Sequence, residues 1–500
     1  MIEHEVRTRS STEKFPREEH LAWRLAQVAL DPVEVSSRVT DMIVNRMIDN
    51  AAVAAPALEH RAIRAACEQA FARSANPGAT VLGAGAERRA APEWAAWANT
   101  AAVRELDFND TFVAAEAAHP SDNIPALLAV AQHANLAGAD LVRGIAAAYE
   151  IQVDLCRGIG LHRHRIDQIA HLGPSVVAGL GALLRLRPEV VYHAIGLALH
   201  VTTTTWQART GEISTWKAFA PAFAGKVAIE SVDAAMRGLT APAPIYEGQN
   251  AILAWLLDGP EATYRVPLPE PGEPKTAILD TYPKEYSSEY FSQAYLDLAR
   301  RLAPKLGDLS RVERVIVRCN ANTHNFVGNG SKDPQKYDPE ASRETLDHSL
   351  PFILAVALQD GGWPGEAAYE RSRVTRPDTV ELWRRISTVE DPAWTARFEH
   401  QDPAKKAFGG RVEVTFADGR THVEEIVVAD AHPAGARPFE REQYLAKFNT
   451  HTAGLVNDDD GERFLALITR LPELSADEVA SIALPIRGGA IELTGSRGIL

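Results

Sequence analysis

Cysteine is scarce in this chain. Cys67, Cys156 and Cys319 are the three thiols in 500 residues, and no two form a C-x-x-C pair. Disulfide frameworks, structural zinc sites and iron–sulfur clusters all need thiols at close spacing, so the pattern argues against each of them. The three read instead as small buried hydrophobes. Basic charge is also short, with 52 Lys and Arg against 66 Asp and Glu, for a net charge of −14. Nucleic acid and anionic membranes call for a basic surface, so neither is an expected partner. An anionic substrate would need a positive site built locally against the global field. No run of about 18 apolar residues appears, and Met1–Glu19 is charged with no apolar signal core. The expectation is a soluble cytoplasmic protein. A Walker loop, a G-x-G-x-x-G unit, an H-E-x-x-H helix and a G-x-S-x-G elbow are all missing.

What is abundant is alanine, within an apolar share of 46%. That favours packed helices, and the length exceeds one ordinary core. Val39, Met42, Ile43, Met47 and Ile48 fit a helical stripe. Leu172–Leu184 and Pro188–His200 are nearly all apolar, as deeply buried helices are. The texture changes at Pro267, Pro269, Pro271 and Pro274, which read as a linker. Beyond it, Val312–Arg318 reads as a strand, and Val412–Phe416 and Val423–Val428 flank an Asp418-Gly419 turn as a hairpin. Glu344–Leu358 reads as one helix. The predicted fold is mainly α, a large helical domain with a smaller inserted α+β domain. The expected boundaries are a flexible arm over 1–17, the helical domain over 18–274, the insert over 275–436, and helices over 437–500 that return to the first domain.

Polar chemistry concentrates in a few turns. Leu106-Asp107-Phe108-Asn109-Asp110-Thr111 and His119-Pro120-Ser121-Asp122-Asn123 lie between bland apolar helices. A turn this polar is costly to bury unless its groups are paired or used. One reading is a helix start, with Ser121 or Asp122 as N-cap and Pro125 in the first turn; the other is a small-molecule site. His171 precedes Gly173-Pro174-Ser175 at an expected helix start, where backbone N–H groups favour an anion. Between two apolar helices, Arg209, Ser214 and Lys217 stand in one polar loop; Arg209 is suited to clamp a carboxylate and Lys217 to supply a compact positive charge. Tyr286 follows Tyr282-Pro283-Lys284-Glu285, while Arg343 and His348 precede an apolar helix, where capping or docking is an equally plain reading.

Taken together, several stretches resemble the MmgE/PrpD family, most closely its members that dehydrate 2-methylcitrate. They are Leu106–Thr111, His119–Asn123, Ala208–Ser214 with Trp216-Lys217, Ala241–Gly248 and Ser342–Pro351. The resemblance implies a helical domain interrupted by an α+β lid, a homodimer, and an active site between the two domains. It implies site roles for Asp107, Thr111, His119, His171 and Lys217. One departure stands out: many relatives place a His after the Y-P-x-E stretch, where this chain has Tyr286 and, farther on, Phe291.

The implied reaction is dehydration of a tricarboxylate, 2-methylcitrate to 2-methyl-cis-aconitate in propionate catabolism (the methylcitrate cycle), with no cofactor and no metal. Elimination needs a base, an acid and positive charge facing the developing enolate. Asp107, His119, His171 and Lys217 are the catalytic candidates, His119 and His171 sharing the acid and base roles in unresolved order. Thr111, Ser121, Arg209, Ser214, Tyr286, Arg343 and His348 are the substrate-binding candidates. Decarboxylation of cis-aconitate, epimerisation of a related acid, and a non-catalytic helical binding dimer are the alternatives.

Overall fold

A computed structural model describes residues 1–400, 402, 405–488, 491, 494 and 495. The fold is mainly α-helical. The chain forms two compact units: Met1–Ala208, Ala218–Thr281 and Arg441–Leu500 make the first, and Arg209–Lys217 with Tyr282–Glu440 the second. Of the last stretch, 488–500, read from the sequence as a tail beyond the C-terminal helices, most lies outside the described residues. Among the described residues, no helix is long and apolar enough to cross a membrane.

Unit 1 is built on the helices Gly138–Gly158 and Ile169–Leu184, which pack along each other. Small residues make this possible. A Cβ on Gly179 would lie 2.8 Å from the Cβ of Ala148 and 2.9 Å from the carbonyl of Gly144, so the backbones touch where no side chain fits. Helices Leu21–Leu30, Ser37–Ala57, Ile124–His133 and Pro188–Thr202 pack against this pair, Pro92–Glu105 packs on Ser37–Ala57 and Ile124–His133, and Arg441–Thr452 packs on Ser37–Ala57.

Three local expectations need correction here. The arm over 1–17 is not loose at its start: Ile2–Arg7 pairs antiparallel with Thr263–Leu268, which satisfies the backbone groups that face that strand. Pro267, read as linker, sits in this two-stranded edge opposite Glu3, where its missing N–H costs little. The first unit also runs on to Thr281, because the turn Ala277–Asp280 is anchored by the Ala277 N–H on Glu150, 2.8 Å away.

Unit 2 contains a four-stranded sheet in the order Thr421–Ile426, Gly410–Phe416, Val312–Cys319, Ile386–Glu390. The last pair is parallel and the others antiparallel. Val412, Val414 and Phe416 alternate buried with half-buried neighbours, as a one-faced strand requires. Gly419 takes the left-handed φ of +86° that the hairpin turn needs. The single helix expected over Glu344–Leu358 is two, Arg343–Leu346 and Leu350–Asp360. Ser342 and Ser349 cap them, and Pro351 cannot continue a preceding helix. The break leaves Asp347 and His348 at the joint.

Unit 2 also buries His432 among aromatics, its ring 4.6 Å from Tyr282 and 5.6 Å from Phe408. Nδ1 accepts the Ala434 N–H at 2.9 Å, so the proton is on Nε2, which has no hydrogen-bond partner. Burial pushes its pKa from 6.5 down to about 4. Between those values the unfolded chain binds the proton and the folded chain does not, so stability falls as pH drops through that window. The shift corresponds to about 3 kcal/mol. Comparing urea unfolding of wild type and His432→Phe should show a difference that grows by about this amount from pH 7 to pH 4. A constant difference would mean the ring is not held neutral.

Candidate active site

In unit 1 the polar turn begins where the helix Pro92–Glu105 ends. Asp107 follows with a left-handed φ of 49°, a conformation that Asp tolerates better than most residues. Its carboxylate is thereby turned back onto Arg104, whose NH1 donates to Oδ1 at 2.5 Å. The other terminal nitrogen of Arg104 meets Nε2 of His119 at 2.8 Å. On the far side of the ring, Nδ1 lies 2.8 Å from the Asp110 carbonyl and 3.2 Å from the Thr111 hydroxyl.

These partners decide the protonation state. A carbonyl only accepts and a guanidinium only donates. Nδ1 therefore carries the proton and Nε2 presents its lone pair, which makes the ring a neutral imidazole. Asp107, Thr111 and His119 are thus brought together, with Arg104 as the link. Arg104 lies three residues before Asp107 on the last turn of its helix, a spacing at which side chains meet.

Ser121 and Asp122 do not cap the following helix, which starts at Ile124 without a side-chain cap. They are fully buried and used otherwise. The Asn109 amide donates to Ser121 Oγ at 3.0 Å and to Asp122 Oδ1 at 2.8 Å, while the Ser121 N–H donates to Asp110 at 2.9 Å. The cluster is closed from behind by Arg46, which is 0% exposed and pairs with Asp110 at 3.2 Å. Arg46 also donates to the Tyr444 hydroxyl at 2.8 Å and to the Thr281 hydroxyl at 2.7 Å. Lys447 donates to the Phe108 carbonyl at 2.9 Å and pairs with Asp49 at 2.7 Å. Burial pushes the Asp110 pKa up, opposed by the Arg46 charge.

His171 is held by a different partner. The helix starts at Ile169, so the residue lies inside its first turn and not before it. Its Nε2 donates to the Ile159 carbonyl at 2.9 Å. The ring lines a cavity of about 10 Å³ with Leu161, Thr203 and Tyr246, the size of one water. Burial lowers its pKa and keeps it neutral.

Unit 2 holds a second charged group. Lys217 donates to both oxygens of Asp347 at 2.7 Å, and Arg343 reaches the same carboxylate at 2.9 Å. His348 Nδ1 contacts Asp347 Oδ1 and lies 3.3 Å from the Lys217 ammonium. Arg343 further grips Glu366 through two bonds of 2.8 Å, the bidentate geometry suited to a guanidinium. Arg209 donates to the Lys217 carbonyl at 3.0 Å and so orders the loop. Lys217, Arg343 and His348 thus meet around Asp347. Ser214 is exposed, its hydroxyl accepting only a long bond of 3.4 Å from Trp216 N–H. Tyr286 has a different carboxylate as partner: its hydroxyl donates to Asp297 at 2.8 Å, and burial raises the Asp297 pKa to about 6. Phe291 stacks on Phe326, 6.3 Å between centroids.

Arg46, Arg104, Lys447 and Glu366 are not singled out from the sequence, and Asp347 falls in a matching stretch without being given a role. Arg104 and Asp347 carried a signal, sitting three residues from Asp107 and beside His348. The buried Asn45, Arg46, Asp49 and Asn50 also leave a trace, as polar pairs in an otherwise Ala-rich helix. Lys447 carried none.

An imidazole with a defined tautomer stands here beside a carboxylate and a guanidinium in a helical unit, the group types that acid–base chemistry on small molecules requires. Residues 19–265 match the MmgE/PrpD N-terminal domain and residues 286–473 the MmgE/PrpD C-terminal domain, so the chain belongs to the MmgE/PrpD family. It is similar to the 2-methylcitrate dehydratase of Escherichia coli (strain K12), 26% identical over 67% of this chain and 70% of that protein. The 2-methylcitrate dehydratase of Salmonella typhimurium is 25% identical over 72% and 75%. The mitochondrial 2-methylcitrate dehydratase of Yarrowia lipolytica is 24% identical over 73% and 71%.

Proposed function

We propose that this chain is a hydro-lyase that removes water from 2-methylcitrate to give 2-methyl-cis-aconitate by acid–base elimination. The observation that carries the reading is the neutral His119, with Nδ1–H on a carbonyl and Nε2 facing Arg104. The names of the relatives support the substrate class. In this scheme a substrate carboxylate draws the Arg104 guanidinium toward itself, and Nε2 takes the proton alpha to a carboxylate. The C–H electron pair becomes the C=C bond, and hydroxide leaves with a proton from a general acid. Asp107 keeps Arg104 aimed, and Thr111 hydrogen-bonds the substrate. Lys217, Arg343 and Arg209 are proposed as carboxylate-holding cations, with His348 beside them.

The test is to incubate the protein with 2-methylcitrate and follow the unsaturated product by ultraviolet absorbance. Product formation that survives dialysis against a chelator is the expected result. Carbon dioxide release from cis-aconitate, with 2-methylcitrate untouched, would replace this reading with a decarboxylase. Binding of either acid without turnover would point to a non-catalytic binding protein.

A further inference from the structure

We propose that Asp110 is a positioning residue that holds His119 in the Nδ1–H tautomer. The inference rests on the reading of His119 as the proton-transfer group. Asp110 grips the histidine segment at two points. Its main-chain carbonyl takes the ring proton at 2.8 Å, and its Oδ1 takes the N–H of Ser121, two residues beyond His119, at 2.9 Å. The other carboxylate oxygen accepts the Tyr149 hydroxyl at 2.9 Å and pairs with Arg46 at 3.2 Å. With the side chain clamped from Ser121, Tyr149 and Arg46, the peptide plane that aims the carbonyl at Nδ1 cannot turn freely.

The carbonyl matters because of what else is near Nδ1. Thr111 Oγ1, at 3.2 Å, is a hydroxyl that can donate or accept, so by itself it specifies no tautomer. If the carbonyl swings away, the proton is free to move to Nε2, where it would face the N–H of Arg104. Both the lone pair for proton abstraction and the Arg104 contact would be lost. A wrong histidine tautomer in a comparable site costs up to about 10⁴-fold in kcat.

Asp110→Asn keeps the volume and removes the charge beside Arg46. Tyr149→Phe removes one hydrogen bond, leaves the ion pair intact, and serves as the second variant should Asp110→Asn not fold. Histidine-selective ¹⁵N NMR, assigned with His119→Gln, reads the tautomer directly. The expected wild-type spectrum shows His119 protonated at Nδ1 and bare at Nε2. In Asp110→Asn we expect mixed tautomers and a kcat on 2-methylcitrate lower by about 10²-fold, with KM within about threefold. Tyr149→Phe moves both readouts the same way by a smaller amount. A wild-type ring protonated at Nε2 overturns the inference, as does full kcat in both variants. Wild-type protein inert toward 2-methylcitrate sinks the dehydratase reading instead, and the NMR result then decides the role of Asp110 alone.

Discussion

On the proposed mechanism, His119→Ala is expected to lower turnover of 2-methylcitrate by about 10²- to 10⁴-fold, the usual worth of one positioned proton-transfer group. The loss is expected in kcat, with the fold intact. The ring is only half-buried, and its contacts to Arg104, Asp110 and Thr111 are hydrogen bonds at the edge of the cluster. The prediction separates two ways in which the residue could matter. If His119 only bound substrate, the variant would raise KM and keep kcat. His171→Ala is the informative control. That ring is held by the Ile159 carbonyl in an apolar cavity, so its removal should act on stability before chemistry. Full turnover in His119→Ala, measured by the same absorbance assay, would end the proposed mechanism.

The second large effect is on stability. Arg46→Met strips the fully buried Asp110 of its charge partner and leaves the Tyr444 and Thr281 oxygens without their donor. Breaking a buried pair from one side costs about 3–5 kcal/mol, because the remaining carboxylate keeps its desolvation penalty. Urea unfolding of the variant measures this. The double variant Arg46→Met with Asp110→Asn should recover part of the loss, since the stranded charge is then gone, and the cycle gives the coupling directly. A single-variant loss below about 1 kcal/mol would show that the neutral donors Tyr149 and Ser121 suffice to hold Asp110.

Much of this was legible before any coordinates. The helices Ile169–Leu184 and Pro188–Thr202 follow the apolar runs that predict them, with ends displaced by two or three residues. The strand at Val312 and the hairpin around Gly419 carried their own turn chemistry. The polar turn 106–123 stood out because charge there is costly unless it is used. The misreadings have a common origin. Glu344–Leu358 was read as one helix by hydrophobicity, whereas two serine caps and a proline divide it. For Ser121 and Asp122 a local cap is one of two readings the sequence offers, and Asn109 claims both side chains instead. The N-terminal arm looked loose because its partner strand is encoded more than two hundred residues away.

Composition and spacing were enough to determine the mainly helical class and the stretch of chain where polar groups concentrate, for these depend on neighbours within a turn or two, while the family came from the likeness of whole motifs. The tertiary structure alone decided that Arg46 and Tyr444 close around Asp110, that Asp347 gathers Lys217 and Arg343, and which nitrogen of His119 holds its hydrogen. A buried charge is settled by whichever group lies across from it in space, and Arg46 meets Tyr444 across a separation of 398 positions.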